Sequence, residues 1–329
     1  MKRRELLGGL AGAAALRPGA GSAQQAQSLP TVAIAFASVE GDPESLQRAR
    51  SFQAGMRDLG WIDGQTVRFA GRWMGNDPAR ARTVADDLVA LKPDVILTMG
   101  TVAATALRAA TKSIPVVFVN VTDPVAGGYV ASLARPGGNM TGFTPFEYPI
   151  AGKWLALLKQ AAPGLSRVAL MGDPNNHNYR GFWGPFETTA QGLGIQPLKL
   201  PVGSAAEIEK GLEDLAAAPG GGVVVSAATF SLAHRELIFA LTARLRLPAI
   251  YWTRFFAATG GLMSYGPDTD ELYAKSAAYV SRILKGAHPA DLPVQTATRF
   301  ETVINLRTAR ALGLQIAPSL ASSADEIIE

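Results

Sequence analysis

Two polar segments in the first half of the chain could bind a small ligand, and each follows a run of apolar residues. Gly100 and Thr101 follow such a run and open a helical pattern. The free amides at that helix start and the Thr101 hydroxyl could hold a carboxylate or another anion, although ordinary helix capping explains the same pattern. Thr122 and Asp123 follow the next run, and the Asp123 carboxylate could pair with a ligand amine or cap the turn before Pro124. These residue types predict a site for a small polar molecule, with capping and turn formation as the alternative.

Polar residues also follow apolar runs in the second half of the chain. Asn175 and Asn178 lie in a polar cluster, and their amides could bridge a ligand to a second lobe, although turns favour Asn for conformational reasons alone. Tyr251 and Trp252 could form an aromatic wall for an apolar ligand body, or could belong to the core. No metal site and no cofactor is expected. The candidate ligand-binding residues are Ser38, Gly100, Thr101, Thr122, Asp123, Asn175, Asn178, Thr229 and Tyr251.

The elements that must position these residues alternate between apolar runs and amphipathic segments. Runs rich in Val and Ile are typical of buried parallel strands, and helical patterns between them indicate βαβ units. Ligands in such sheets bind beyond the carboxyl ends of the strands, so we expect the candidate residues to lie near one another. The predicted strands cover residues 31–37, 66–70, 94–99, 115–119, 167–171, 195–200, 222–226 and 248–251.

Two helical patterns bear on how the core is built. Leu46, Phe52, Met56 and Leu59 fall on one face of the first predicted helix, which is the stripe expected to face the core. A late helix over about 268–285 has no strand of its own in the second half, so it could return to the first lobe.

The chain is predicted to form two lobes. About 300 residues exceed what one core usually holds, and three irregular passages at 135–144, 258–266 and 286–298 interrupt the pattern of strands and helices. We predict an α/β fold of two doubly wound parallel-sheet lobes joined by a three-crossover hinge. Such lobes can close around a cleft. The expected boundaries are 30–143 with about 262–290 for the N-lobe, and 144–261 with about 291–329 for the C-lobe.

Residues 1–23 have the pattern of an export signal. Basic residues at 2–4 precede an apolar run at 6–16, and small residues at 21 and 23 suit a peptidase site. Arg3-Arg4-Glu5 is similar to a twin-arginine signal, while general secretion is the alternative. The apolar run is about half the length that spans a bilayer, so we expect a cleaved signal and a periplasmic protein without stable membrane insertion.

Composition excludes several classes of function. The formal charge is +4, and removing residues 1–23 takes away four basic residues and one acidic residue, which leaves a nearly neutral protein without the basic surface of a nucleic-acid binder. The chain has no cysteine, which excludes a disulfide, a cysteine nucleophile and a lipoprotein anchor. It has three histidines and neither a nucleophile elbow nor a phosphate loop, so we expect no catalysis, although an enzyme on the same fold is the remote alternative.

Several ordered motifs together resemble those of a known family. They include Gly-Met-Arg-Asp-Leu-Gly-Trp-Ile-Asp-Gly at 55–64, Thr-Asp-Pro-Val at 122–125, Leu-Ala-Arg-Pro-Gly-Gly-Asn-Met-Thr-Gly at 133–142 and Gly-Gly-Leu-Met-Ser-Tyr-Gly at 260–266. With these motifs the chain is similar to the substrate-binding proteins of ABC transporters, in the branch that includes tryptophan-transport proteins, which have the type I periplasmic-binding fold. One departure lies at 173–178, where Asp-Pro-Asn-Asn-His-Asn replaces the Asn-Pro-x-Asn pattern of many relatives.

The resemblance implies capture of a small solute, such as an amino acid or a related carboxylate, perhaps aromatic, and its delivery to an ABC permease in the inner membrane. By position, Thr101 would take the carboxylate of the ligand and Asp123 its amine. The protein is expected to be a monomer. A periplasmic sensor that presents its closed form to a receptor kinase would use the same cleft and is the alternative.

Overall fold

The structure, a computed structural model, describes residues 29–75 and 78–329. The expected signal, residues 1–23, lies outside the described residues. Within the described ranges, no helix combines the length and the apolar character needed to cross a bilayer.

Strands and helices alternate along most of the chain. The strands are β1 (Thr31–Phe36), β2 (Arg68–Trp73), β3 (Val95–Met99), β4 (Val116–Val119), β5 (Met140–Thr144), β6 (Arg167–Gly172), β7 (Gln196–Pro201), β8 (Gly221–Val225), β9 (Ala249–Tyr251), β10 (Met263–Pro267), β11 (Gln295–Thr296), β12 (Phe300–Asn305) and β13 (Glu326–Ile328). The helices are α1 (Pro43–Asp58), α2 (Pro78–Ala90), α3 (Thr101–Ala110), α4 (Ile150–Ala161), α5 (His177–Gly192), α6 (Ala205–Ala216), α7 (Thr229–Ala233), α8 (Arg235–Arg244), α9 (Arg254–Ala258), α10 (Thr269–Leu284), α11 (Leu306–Ala311) and α12 (Pro318–Ser323).

The first sheet is parallel and has the strand order β11-β5-β4-β3-β1-β2. Successive side chains of β1 point to opposite faces, and helices cover both faces. Val32, Ile34 and Phe36 pack in the cluster with α1 and α10. Ala33 and Ala35 pack in the cluster with α2 and α3, where the small side chains let those helices approach closely. Burial on both faces explains why the strands are continuous apolar runs.

Helices α1 and α10 pack against each other on the first sheet. A Cβ atom at Gly55 of α1 would lie 2.7 Å from the carbonyl oxygen of Ala274 of α10, so glycine permits this close crossing. The stripe predicted on α1 was wrong at its ends, because Leu46 and Leu59 are 38% and 44% exposed. The buried face instead continues from Phe52 and Met56 back through Ser45 and Arg48, at the spacing of one helix face.

The second sheet has the order β13-β12-β10-β9-β8-β6-β7, with β12 antiparallel to β10 and the other pairs parallel. The chain passes between the sheets after β5, after β10 and after β11. The predicted architecture of two doubly wound lobes joined by three crossovers is confirmed. Both lobes expose the carboxyl ends of their strands toward the same interlobe region.

Two lobe boundaries differ from the sequence-based expectation. Residues 262–267 were expected in the N-lobe, but β10 pairs with β9 and β12, which places this strand in the second sheet. Residues 291–296 were expected in the C-lobe, but Gln295 of β11 pairs with Phe143 of β5, which keeps this segment on the first sheet. Both crossovers therefore come after a short strand, β10 or β11, that lies within an irregular passage of the sequence.

Candidate ligand-binding site

A cavity of about 590 Å³, which includes space open to solvent, lies between the lobes at the carboxyl ends of their strands. Residues from both sheets and from the first crossover line it, so a ligand in the cavity touches both lobes. From the first lobe come Ala37, Ser45, Arg48, Met99, Gly100, Thr101, Asn120, Thr122 and Tyr273, from the crossover Pro145 and Phe146, and from the second lobe Asn176, Asn178, Ala227, Ala228, Leu232 and Trp252.

Arg48 forms the centre of the first-lobe wall. Its guanidinium pairs with the carboxylate of Glu44, one turn earlier on α1, and both side chains are buried. The guanidinium carbon lies 5.6 Å from the centroid of the Tyr273 ring, within the range of a cation–π contact. The amide nitrogen of Asn120 donates a hydrogen bond of 3.3 Å to the Tyr273 hydroxyl. The packing of α1 against α10 thus joins three side chains of the wall.

Burial and the ion pair have opposite effects on the pKa values of Arg48 and Glu44. Burial alone would lower the pKa of Arg48, but the Glu44 carboxylate and Tyr273 raise it, and the net change is upward. Burial raises the pKa of Glu44 because a buried carboxylate is poorly solvated, and Arg48 offsets only part of this. Burial also raises the pKa of Tyr273 to about 12. Arg48 is therefore charged and Tyr273 is protonated at neutral pH.

Two left-handed residues bring the loops of the first lobe to the cavity. Gly100 has a φ of 95°, which turns the chain directly from β3 into α3 and places Thr101 at the cavity. Because glycine has no side chain to cap the helix, the first amides of α3 receive no side-chain cap. Asn120 has a φ of 60°, a conformation that asparagine tolerates better than most residues, and it follows β4.

The second-lobe wall is mostly apolar. Ala227 and Ala228 follow β8, and Trp252 follows β9 with 6% of its surface exposed. Asn178 lies in the first turn of α5 with 2% of its surface exposed, and its side-chain oxygen accepts a hydrogen bond of 3.4 Å from the Tyr148 hydroxyl. This wall combines small residues, one leucine, one indole and the amides of Asn176 and Asn178, and the Asn176 side-chain oxygen accepts a hydrogen bond from the backbone amide of Asn178.

The structure brings four of the predicted site residues to the cavity: Gly100, Thr101, Thr122 and Asn178. Ser38 does not line the cavity itself, but its hydroxyl lies 2.7 Å from the hydroxyl of Ser45, which does.

Three other predicted residues, Asp123, Asn175 and Tyr251, do not line the described cavity wall. Asp123 has a φ of 43°, and its carboxylate accepts a hydrogen bond of 3.0 Å from the Ala126 amide, because the chain turns there before Pro124. Asn175 is exposed in the turn before α5. Tyr251 is fully buried and stacks on Phe256 at 4.9 Å between ring centroids, and burial raises its pKa. Thr229 begins α7, but its side chain lies outside what the structure describes.

Sequence reasoning missed Ser45, Arg48, Asn120, Phe146 and Tyr273. Arg48 lies in the middle of a helix, whereas the predicted site residues follow the ends of predicted strands. A usable signal was present, because Arg48 stands four residues before Phe52 on the buried face of α1, where a charged residue is unusual and needs a partner.

Comparisons with known proteins agree with this geometry. Residues 31–328 match the family model of the ABC transporter substrate binding proteins. A tyrosine-binding protein of Clostridioides difficile strain R20291 is 26% identical over 278 residues, which covers 82% of this chain and 78% of that protein.

Solved structures show the same fold. An ABC domain from Streptococcus pneumonia in complex with L-Trp aligns with a TM-score of 0.85 at 24% identity, over 92% of this chain and 100% of that one. A conserved domain protein from Vibrio cholerae O1 biovar El Tor aligns with a TM-score of 0.85 at 24% identity, over 91% of this chain and 100% of that one. Solute-binding proteins of ABC transporters recur among the more distant structural neighbours.

Proposed function

Because this chain belongs to the family of ABC transporter substrate-binding proteins, a family of solute-binding proteins and not of enzymes, we propose that it captures an amino acid or a related carboxylate in the interlobe cavity for import. The observation that supports this most directly is that both lobes contribute to one small cavity with hydrogen-bond donors on both walls. The named ligands of two relatives, tyrosine and L-Trp, favour a solute of amino-acid size with an aromatic body.

The recognition elements on the first lobe suit a carboxylate. The amides at the start of α3 and the Thr101 hydroxyl offer donors, and the positive end of the helix favours an anion. Thr122 adds a hydroxyl from the loop after β4. Phe146, Trp252 and Tyr273 provide aromatic surface for the rest of the molecule.

Binding operates by a shift between open and closed arrangements of the lobes. A ligand that contacts both walls gains part of its interaction energy only when the lobes are closed, so it favours the closed state. The permease of an importer would recognise that closed state in the periplasm. Asp123 has no part in this proposal, because its carboxylate is used within its own turn.

The test is a thermal-shift screen followed by calorimetry and small-angle scattering. We expect an amino acid or an aromatic carboxylate to raise the unfolding temperature by mass action, and the same solute to reduce the radius of gyration. The panel should include acids, amino acids, sugars and nucleosides. The proposal would be contradicted if no amino acid or carboxylic acid in it had these two effects.

Export has its own test. We propose that residues 1–23 direct the chain to the periplasm through the twin-arginine route, so the Arg3→Lys/Arg4→Lys variant should remain in the cytoplasm. Fractionation of cells that express the variant and the unchanged protein measures this. Unchanged export of the variant would favour general secretion instead.

A further inference from the structure

Two nearly buried side chains that line the cavity each have a donor with no hydrogen-bond partner in the described chain. They are Arg48 through Nε and Trp252 through Nε1, and each residue is 6% exposed. A buried donor without a partner costs about 1–3 kcal/mol, so such atoms are usually satisfied by a ligand or by water. Arg48 belongs to the first lobe and Trp252 to the second, and one acceptor group bound between them would hold the closed state.

Arg48 is the charged side chain among the lining residues, and within residues 29–75 and 78–329 no carboxylate lines the cavity. Glu44 lies behind Arg48, pairs with it and lines a separate depression with Gln47 and Arg254. Asp42 and Asp270 also interact electrostatically with the Arg48 guanidinium, although neither lines the cavity. The cation therefore lines the cavity, whereas the carboxylates that balance it do not.

The N-termini of two helices at the cavity also favour an anionic ligand. α3 has 10 residues and begins at Thr101, and α5 has 16 residues with Asn178 in its first turn, and both residues line the cavity. The amino end of a helix has a partial positive charge, so both ends favour an anion and disfavour a cation. Asn120 supplies one acceptor, since its Oδ1 is buried and has no described partner.

Resting on the proposed function, we propose that the preferred solute is an aromatic carboxylic acid without an α-ammonium group, whose carboxylate accepts hydrogen bonds from Arg48 Nε and Trp252 Nε1. A hydroxyl or N–H of the same solute donates to Asn120 Oδ1. An amino acid would place its ammonium in a cavity whose described lining offers it one unpartnered amide oxygen, that of Asn120, and no carboxylate, close to a guanidinium. Desolvation of that ammonium would not be compensated.

Matched ligand pairs test the proposal. Calorimetry with the purified protein compares 3-(4-hydroxyphenyl)propionate with L-tyrosine, and indole-3-propionate with L-tryptophan, which differ in the α-ammonium group alone. We expect the acid of at least one pair to bind about ten-fold or more tightly than its amino acid. Equal or tighter binding of both amino acids would overturn the inference and leave the proposed function standing. Binding by none of the four, with another solute active in the broad panel, would also overturn it.

Variants of Trp252 test the contact from the second lobe. Trp252→Phe keeps an aromatic ring and removes the N–H, so we expect about ten-fold weaker binding of the preferred acid. Trp183→Phe is the matched control, because Trp183 lies outside the cavity lining and stacks under Lys199. Unchanged affinity in Trp252→Phe, with the fold intact by circular dichroism, would remove Trp252 from the site.

A charge-neutral replacement tests Arg48 without leaving Glu44 unpaired. The Glu44→Gln/Arg48→Gln double variant keeps polar groups at both positions, and Glu44→Gln alone retains the guanidinium. We expect the preference for the acid over its amino acid to persist in the single variant and to fall to about three-fold or less in the double variant. An undiminished preference in a folded double variant would show that Arg48 does not select the charge of the ligand.

Discussion

The two lobes contribute different chemistry to the same cavity. The first lobe provides a buried guanidinium, an amide, hydroxyls and the open end of α3, whereas the second provides small residues, Leu232, one indole and the amides of Asn176 and Asn178. The difference indicates that the charged group and the hydroxyls come from the first lobe, while the second adds apolar cover together with the Trp252 N–H and two amides. Four substitutions, from the largest expected effect to the smallest, break or sharpen this comparison.

Arg48→Ala should have the largest effect, because it removes the cation of the first lobe and leaves Glu44 buried without a partner. We expect a loss of about 3–5 kcal/mol in the free energy of unfolding, together with loss of ligand binding. Denaturant titration measures the first and calorimetry the second. Arg254→Ala is the control, because the Arg254–Glu326 pair is largely exposed and should contribute about 1 kcal/mol or less. Similar losses in both variants would contradict the special role of the buried pair.

Gly266→Ala perturbs the second lobe alone. A Cβ atom there would lie 1.8 Å from the carbonyl oxygen of Trp252, so β10 or the loop after β9 must shift. We expect a loss of about 2–3 kcal/mol in stability and weaker ligand binding through displacement of Trp252. Gly192→Ala at the end of α5 meets no atom within 4 Å and should change stability by about 1 kcal/mol or less. Urea unfolding compares the two variants, and normal stability of Gly266→Ala would count against this close approach.

Asn120→Asp reverses the sign of one contact in the first lobe while keeping the shape of the side chain. We expect affinity for carboxylic acids to fall about ten-fold or more and affinity for the corresponding amino acids to rise, since the new carboxylate faces the ligand. Asp123→Asn is the matched control in the same loop, because that side chain caps its own turn and should leave both affinities unchanged. Calorimetry with the ligand pairs measures both affinities. A changed affinity in Asp123→Asn would indicate that Asp123 belongs to the binding site.

Arg235→Gln should have the smallest effect. Arg235 of the second lobe lies 3.5 Å from the carboxylate of Asp42 in the first lobe, so this contact exists only when the lobes are close. We expect a loss in ligand affinity of about 1 kcal/mol, and salt should reduce this loss only in part, because Arg235 is 20% and Asp42 5% exposed and ions screen partly buried pairs weakly. Arg244→Gln, which breaks a pair within the second lobe, should leave affinity unchanged. Unchanged affinity in Arg235→Gln would argue against an electrostatic contact between the lobes.

Strand ends were predictable from the sequence, and helix contacts were not. Gly100, Thr101, Thr122 and Asn178 follow buried strands, and the carboxyl ends of parallel strands converge, so local pattern was sufficient to find them. Arg48 reaches the cavity through the crossing of α1 with α10, which depends on residues more than 200 positions apart.

Two predicted site residues lie outside the cavity lining for a different reason. Asp123 and Asn175 have the right type and follow the right strands, but turn geometry uses Asp123 locally and leaves Asn175 exposed. Polarity after a strand identifies a loop at the cleft and does not fix the direction of each side chain. The boundary at β10 differs for a related reason, because the sequence of this short strand does not show which sheet it joins.

The position of α10 has a consequence for biogenesis. This helix is translated after strands β6 to β10 of the second lobe, yet it closes the core of the first with Leu272, Tyr273, Ala277 and Val280. A fragment that stops at residue 144 therefore lacks one wall of its own interior and the tyrosine that supports Arg48. The nascent protein cannot complete its recognition surface until residue 284 has left the ribosome, so the earliest part of the chain to be made is among the last to mature.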